Sequence, residues 1–258
     1  MRRKPKATEQ YSFQEALAVL SELEPYYRKI LGRVNCARPL PKGAAVADIG
    51  AGYGLLLIAC ARLGYNAVGV EPWIEAHAVA KQLAEHEGLP ITIVAGVAEN
   101  VPLPSEQFDA VISHAVVEHV QDPQAAFNEA FRILKPGGIY LFVSASSMCP
   151  RQNEIRGFPL FGWYPDRLKR RIMEWAKTHK PHLIGHTQTP AINWFTPWKA
   201  KRMLRKAGFK NVLERWDLIV PTEKGRMFRL VLRLIRLCGL TRRMADVLNS
   251  CCAYAALK

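Results

Sequence analysis

The stretch Val46-Ala47-Asp48-Ile49-Gly50-Ala51-Gly52-Tyr53-Gly54-Leu55 decides the fold, because a short apolar strand runs directly into a glycine loop that opens a helix. Glycine lets the backbone turn sharply and approach a ligand closely, and the N-terminus of the following helix offers free N–H groups. Such a loop is typical of α/β proteins that bind a nucleotide-like cofactor.

Two residues of this stretch indicate which cofactor it holds. The fingerprint of dinucleotide-binding proteins has Gly or Ala as the sixth residue of GxGxxG, where this chain has Leu55. A carboxylate at the strand end, where Asp48 lies, would repel a pyrophosphate but attract a cationic ligand. S-adenosylmethionine carries an ammonium and a sulfonium group, so the charge of Asp48 favours S-adenosylmethionine.

Short apolar runs and helical stretches alternate along the chain on either side of the loop. The strands predicted from this pattern are 44–49, 67–70, 91–95, 110–113, 139–144, 211–216 and 252–257. The helices predicted between the first five strands are 54–63, 75–87 and 123–134. Strands separated by helices imply right-handed βαβ units. We therefore expect a doubly wound, mostly parallel, seven-stranded Rossmann-like α/β sheet that binds ligands at the carboxyl ends of its strands.

Three segments are expected to elaborate this sheet. Residues 1–43 are predicted to form a helical N-terminal cap, with a break near Pro25 in the apolar helical pattern. The main α/β domain is predicted to follow over 44–258. Residues 145–195, rich in Pro, aromatic and basic side chains, are predicted to form a substrate lid after the fifth strand. Residues 217–249 are predicted to form a basic amphipathic helical insert between the last two strands.

Further motifs follow the glycine loop in a consistent order. They are Glu71-Pro72-Trp73 after the second strand, Ala98-Glu99 after the third, Phe108–Val111 entering the fourth, Glu118-His119-Val120 after it, and Leu134–Gly138 before the fifth. Together they resemble the class I S-adenosylmethionine-dependent methyltransferase superfamily, and more narrowly its methyltransferase type 11 group. The resemblance covers residues 44–144, and residues 198–209 are similar to the helix that follows in many members.

The resemblance implies which residues hold the cofactor. The expected contacts are Asp48, Gly50, Ala51, Gly52, Gly54, Glu71, Pro72, Trp73, Ala98, Glu99 and Ser113. Asp48 and the glycines would surround the methionine part, and Glu71 would bind the ribose hydroxyls. Pro72 or Trp73 would flank the adenine. Val97 stands where many relatives carry an Asp that accepts from the adenine amino group.

Two histidines are candidate catalytic residues. Methyl transfer to a hydroxyl requires that the two reactants be positioned and that the hydroxyl lose its proton. His114 follows the fourth strand, where similar enzymes face the methyl group, and its alternative is a solvent-facing loop residue. His119 is either a second base or a brace for the same loop. No metal site is predicted, although His179, His182 and His186 have spacings of three and four residues.

The positive charge of the chain is concentrated after residue 150. Residues 1–150 hold 13 Lys and Arg against 15 Asp and Glu, whereas residues 151–258 hold 23 against 7, so the parts carry −2 and +16. Such an excess favours an anionic partner, which could be a phosphorylated substrate, a lipid surface or nucleic acid. No nucleic-acid recognition motif accompanies it.

One predicted helix, residues 225–237, combines arginines with apolar residues. Arg226, Arg229, Arg233 and Arg236 fall on one helical face, and apolar residues cover the rest. This pattern suits an interfacial helix on an anionic membrane, and it equally suits a helix buried against the sheet or in a dimer.

The function expected from these features is transfer of the methyl group of S-adenosylmethionine to a small or lipid-linked acceptor. An oxygen nucleophile on a sugar or a phosphorylated, lipid-like molecule is the leading acceptor, and a quinone-type carbon or a tRNA is the rival. The alternative of another class is a binding or scaffold protein that retains the fold without catalysis. No signal sequence or apolar run of about 20 residues is present. The expected location is cytoplasmic, with peripheral attachment to the membrane as a variant.

Overall fold

The computed structural model describes residues 12–184, 189–219 and 225–258, and a seven-stranded sheet organises them. The strands are β1 (Ala45–Ile49), β2 (Asn66–Val70), β3 (Thr92–Val94), β4 (Phe108–His114), β5 (Leu134–Ala145), β6 (Val212–Glu214) and β7 (Cys251–Leu257). Their order across the sheet is β3-β2-β1-β4-β5-β7-β6. The order reverses at β1, which is where a doubly wound sheet opens its ligand crevice.

Most neighbouring strands of the sheet are parallel. β1 pairs in parallel with β2 and β4, β2 with β3, and β4 with β5. β7 is antiparallel to both of its neighbours, β5 and β6. The predicted doubly wound, mostly parallel sheet is therefore confirmed.

The helices cover the predicted positions and add two. They are α1 (Phe13–Ala37), α2 (Leu55–Arg62), α3 (Ile74–Glu87), α4 (Pro123–Ile133), α5 (Asp166–His179), α6 (Pro197–Lys206), α7 (Arg226–Arg236) and α8 (Gly239–Asp246). The sequence pattern did not predict α5, and it predicted a helical insert over 217–249 without separating α8 from α7. The predicted break of α1 at Pro25 is wrong, because the helix runs through this proline. Pro25 cannot donate to the Ser21 carbonyl, but Ser21 is exposed and water can satisfy that oxygen.

The helices form a layer on each face of the sheet. Leu31 of α1, Leu57 of α2 and Ala80 of α3 pack in one core cluster with Val46 of β1. Phe127 of α4 and Leu204 of α6 pack on the opposite face. The N-terminal helix is thus part of the layer that covers the glycine loop, and it brings its own side chains to the edge where ligands bind.

The segment after β5 has a small core of its own. Phe161, Met173 and Trp194 are fully buried within it. The Lys169 ammonium lies 4.4 Å from the centre of the Trp194 ring and 2.8 Å from an Asp166 carboxylate oxygen, so its charge is compensated although the side chain is buried. This segment is a folded substructure at the carboxyl end of β5, where the sequence predicted a lid.

Candidate active site

The glycine loop after β1 is held in a shape that only glycine adopts easily. Gly50, with φ of 79°, has the left-handed backbone conformation. A Cβ atom at Gly50 would lie 2.2 Å from Val116 Cγ2, in the loop that follows β4. The N–H groups of Gly50 and Ala51 donate to the Val70 carbonyl at 2.7 and 3.1 Å, which ties the loop to the end of β2.

Asp48 is a buried carboxylate without a positive partner among the described residues. It lies in β1, two residues before Gly50, and is 3% exposed. No hydrogen bond or ion pair from the described residues reaches it, and burial, with the charge of Glu71 second, raises the pKa of Asp48 to about 8. A cationic ligand would remove this penalty. The ammonium group of S-adenosylmethionine fits that requirement.

Glu71 connects the glycine loop to the end of β2. One carboxylate oxygen accepts from the Gly52 N–H at 2.8 Å, and the other accepts from the Trp73 N–H at 3.1 Å. Each oxygen keeps a second lone pair for another donor. The ribose diol of a nucleoside can supply two such donors, so the predicted role of Glu71 fits its geometry.

The residues expected around the adenine lie in the adjoining loops. The half-buried Trp73 meets Tyr53 edge to face, with ring centroids 5.6 Å apart, while Pro72 is exposed. Ala98 is buried, whereas the Glu99 carboxylate accepts from the Gln121 N–H at 2.8 Å and so joins this loop to the one before α4. Tyr53 was not among the predicted residues, although its position inside the glycine loop could have indicated a place in the site.

The register of β1 and β4 separates two predicted residues onto opposite faces. Asp48 is paired with Ile112, so His114, two residues on, shares the face of Asp48. Ser113 points to the other face, where its hydroxyl lies 2.6 Å from the Tyr140 hydroxyl in the core. Only the backbone of Ser113 remains available to the cofactor, and its predicted contact stays a prediction in that form.

His114 forms a close pair with a residue of the N-terminal helix. Its Nε2 atom is 2.5 Å from the Tyr26 hydroxyl, and the two rings meet edge to face at 5.3 Å. Burial, followed by the charge of Arg33, lowers the pKa of His114 to about 4, so the imidazole is neutral near pH 7. His114 is therefore not a solvent-facing loop residue. Nothing in the sequence linked Tyr26 to it across 88 residues.

A second acid and the second histidine lie in the turn after β4. Glu118 is buried, its carboxylate accepts from the Ser144 hydroxyl at 2.7 Å, and burial raises its pKa to about 7. Its carbonyl accepts from the N–H groups of Ile192 and Asn193 in the insert. Glu118 belongs to one of the sequence motifs but was not predicted to act in the site.

The contacts of His119 fit the role of a brace. Burial lowers its pKa, and hydrogen bonds with the backbone of Thr189 and Pro190 oppose that change. The ring therefore joins the turn after β4 to the insert. Its Nδ1 atom is buried without a hydrogen-bond partner. The predicted catalytic role of His119 stays a prediction.

The histidines of the insert form no metal site in the part of the chain that is described. His179 stacks on Trp175 with ring centroids 5.9 Å apart, and His182 is exposed in a short 3₁₀ turn. His186 lies outside the described residues. Within the described residues no group of three or more His, Cys, Asp or Glu side chains is arranged to hold a metal ion.

The fold and the loop geometry define a class I methyltransferase domain. Residues 47–142 match the methyltransferase domain family, which confirms the resemblance to the class I superfamily and to its type 11 group. Two relatives carry the name ubiquinone biosynthesis O-methyltransferase. The one from Cereibacter sphaeroides is 32% identical over 181 residues, which cover 69% of this chain and 65% of that protein. The one from Dinoroseobacter shibae is 44% identical over 100 residues, which cover 39% of this chain and 40% of that protein.

A solved structure extends the likeness of fold over nearly the whole chain. Phosphoethanolamine N-methyltransferase 2 of Haemonchus contortus, in complex with S-adenosyl-L-methionine, matches with a TM-score of 0.60 at 18% identity. The match covers 97% of this chain and 58% of that protein. At this level of identity the likeness concerns the fold.

Proposed function

We propose that this chain binds S-adenosylmethionine and transfers its methyl group to a hydroxyl oxygen of a quinone-type aromatic acceptor. The observation that carries the proposal is the neutral His114 beside Tyr26, on the same face of the sheet as Asp48 and at its carboxyl edge. The names of the relatives support an oxygen acceptor of the quinone type. The expected sugar or phosphorylated lipid acceptor gains no support from them.

The cofactor would be held by charge and by the two loops. Asp48 would face the methionine ammonium, and Glu71, which already accepts from two backbone N–H groups, would accept from the ribose hydroxyls. When bound, the cofactor supplies an activated methyl group for an in-line displacement. The protein contributes mainly by fixing the direction of approach, because a displacement at carbon depends on alignment.

The Tyr26–His114 pair would handle the proton of the acceptor. With Nε2 of His114 accepting from the Tyr26 hydroxyl, an acceptor hydroxyl that lies against the Tyr26 oxygen can pass its proton along this pair. The positive charge of Arg33, which lowers the pKa of His114, also stabilises an acceptor oxyanion. The acceptor can therefore lose its proton as the methyl group arrives.

The test is an assay of the purified protein with S-adenosylmethionine and a dihydroxybenzene acceptor. We expect S-adenosylhomocysteine and an O-methylated product, identified by mass and by NMR. His114→Gln should lower kcat by about 10²–10⁴-fold, because a positioned base contributes that range, and should leave cofactor affinity unchanged. His179→Gln, on the outer side of α5, is the control and should change neither value.

Two results would contradict the proposal. Absence of calorimetric binding of S-adenosylmethionine to the wild type would exclude the reaction altogether. A C-methylated product, or full activity in the His114 variant, would exclude the oxygen acceptor or the role of His114 while leaving the cofactor site intact.

A further inference from the structure

Two helices near the C-terminal end of the sequence present apolar side chains to solvent. Eight large apolar residues of α7, α8 and their flanking turns are between 43% and 84% exposed. They are Met227, Leu230, Val231, Leu234, Leu237, Leu240, Met244 and Leu248, and we call them the C-terminal apolar face. Single exposed apolar residues are ordinary on a protein surface, but a group of this size marks a binding surface.

The spacing of these residues shows that the exposure is patterned. At 100° per residue, Met227, Leu230 and Leu234 fall within one sector of α7, and Leu232, its one buried residue, points the opposite way toward the protein. Leu240, Met244 and Leu248 continue at spacings of four residues through α8 and the turn after it. α7 and α8 pack on each other, so the exposed apolar residues of both helices belong to one helical pair.

Arginines border this surface, and three of them have no acidic partner among the residues that the structure describes. Arg226, Arg229 and Arg233 lie along one side of α7, are exposed, and form no ion pair with the described residues. Arg236 is different, because it donates to the backbone carbonyls of Trp216 and Ile219 at 2.7 and 2.9 Å and fastens the helix to the protein.

The arginines of α8, by contrast, are neutralised by acids. Arg242 is paired with Asp217 at 2.9 Å, and Arg243 is paired with Glu214 and Asp246. Among the described residues of this region, the uncompensated positive charge therefore lies on α7, beside the exposed apolar sector.

The charge of α7 argues against a second copy of the chain as the occupant. α7 contains four arginines and no acid, so two copies joined through it would bring like charges together. The occupant must offer an apolar phase and negative charge at the same boundary. The surface of an anionic bilayer has both, since acyl chains lie immediately beneath a layer of phosphates.

We propose that α7 and α8 bind the surface of an anionic lipid bilayer. The C-terminal apolar face inserts among the acyl chains, and Arg226, Arg229 and Arg233 contact the headgroup phosphates. No helix in the described ranges is long and apolar enough to cross a membrane. The 11 residues of α7 span about 16 Å, half the hydrocarbon thickness, so the helix lies along the interface.

The segment that contains α7 and α8 is attached to the sheet at the reaction edge. β6 ends at Glu214 and β7 begins at Cys251, which pairs with Ala145 at the carboxyl end of β5. The chain therefore leaves and re-enters the sheet at the edge where Asp48 and His114 lie. An acceptor dissolved in the bilayer would meet the site from that side.

The experiment is sedimentation of the full chain with vesicles, without any assay of methyl transfer. One set of vesicles contains equal amounts of phosphatidylglycerol and phosphatidylcholine, and the other contains phosphatidylcholine alone. We expect binding to the first set at least tenfold tighter than to the second, and weaker binding as salt is raised.

Two variants separate the apolar and the charged contributions. Leu230→Ser with Leu234→Ser should weaken binding to the anionic vesicles at least tenfold. Arg226→Gln with Arg229→Gln and Arg233→Gln should weaken it on the order of 100-fold, since each cation near an anionic surface contributes about fivefold. Arg167→Gln with Arg171→Gln and Lys177→Gln removes equal charge from the exposed side of α5 and should cost less than about threefold.

Folding of each variant is checked by circular dichroism and thermal melting, which should match the wild type because the replaced side chains are exposed. The proposal is overturned if the wild type does not bind anionic vesicles, or if both α7 variants bind them as tightly as the wild type does. Dimerisation that the leucine variant abolishes, measured by light scattering without lipid, would identify a second copy instead. Retention on RNA that the arginine variant abolishes, without vesicle binding, would identify nucleic acid.

Discussion

Asp48 is a carboxylate buried where folding alone would favour an apolar residue. Its burial raises the pKa to about 8, so the ionised form destabilises the cofactor-free protein above the ordinary carboxyl pKa. We expect Asp48→Asn to raise the free energy of unfolding of the cofactor-free protein at pH 8 by about 1 kcal/mol or more, which is about 2–4 °C in melting temperature. The same change should weaken S-adenosylmethionine binding at least 100-fold by calorimetry.

Asp109 supplies the matched control for that experiment. It lies in β4 at the opposite edge of the sheet, where it is paired with Lys135 at 2.9 Å and accepts from the Ala45 N–H. These partners lower its pKa, against the effect of burial, so Asp109→Asn should lower stability and leave cofactor affinity unchanged. Equal stability changes of the same sign in both variants would contradict the argument about Asp48.

At the residue scale, the sequence places residues whose position is set locally and misses those whose position is set by tertiary packing. Asp48 and Glu71 follow from the strand-loop pattern, because each residue stands at a strand end. The hydrogen bond between Ser113 and Tyr140 depends on which face of β4 Ser113 occupies. A shift of one residue in the strand would turn Ser113 to the other face. Tyr26 and Glu118 owe their positions to tertiary packing, which a single sequence does not record.

At the element scale, Pro25 offers a test of how α1 positions Tyr26. A proline inside a helix removes a hydrogen bond and costs about 3 kcal/mol relative to alanine, part of which the stiffer unfolded chain returns. Pro25→Ala should therefore raise the free energy of unfolding in urea by roughly 1–2 kcal/mol. Lys29→Ala, on the exposed side of the same helix, should change it by less than about 0.5 kcal/mol.

A fall in stability on Pro25→Ala would show that the proline sets a bend that the packing of α1 requires. A fall in kcat with raised stability would show that the bend aims the Tyr26 hydroxyl at His114, since Tyr26 is the next residue.

The sequence pattern missed α5 and the separate helix α8 for different reasons. α5 buries Lys169 together with Met173 and Ala176, so a charged residue occupies a position where the apolar pattern demands a hydrophobic one. α8 has no buried residue, and its apolar spacing follows a surface contact instead of a core. The elements around the glycine loop were predicted well because their apolar runs face one continuous core.

At the scale of the whole molecule, the buried acids at the ligand edge give the cofactor-free protein a distinctive pH dependence. Burial raises the pKa of Asp48 to about 8 and those of Glu118 and Glu154 to about 7. The folded state therefore binds protons more tightly than the unfolded state, and stability falls as pH rises through these values. His114, with its pKa lowered to about 4, acts oppositely, but only below about pH 6.5.

We expect the free energy of unfolding of the cofactor-free protein to fall by on the order of 2 kcal/mol between pH 6.5 and pH 8. Urea titrations at several pH values measure it. The fall should be smaller in Asp48→Asn and smaller again in Asp48→Asn with Glu118→Gln. Stability that is flat or rising across this interval would refute the assignment of these acids.

The place of β7 in the sheet has a consequence for how the chain acquires its structure during synthesis. β7 is paired with Ile139–Ala145 of β5 on one side and with Val212–Glu214 of β6 on the other. β6 has no other neighbour in the described sheet, so it stays unpaired until residues 251–257 emerge from the ribosome. The parallel half from β3 to β5 can assemble earlier. Translational pausing after residue 214 should therefore yield an intermediate with a formed glycine loop and an unpaired edge at β5. A chaperone would bind the intermediate at that edge.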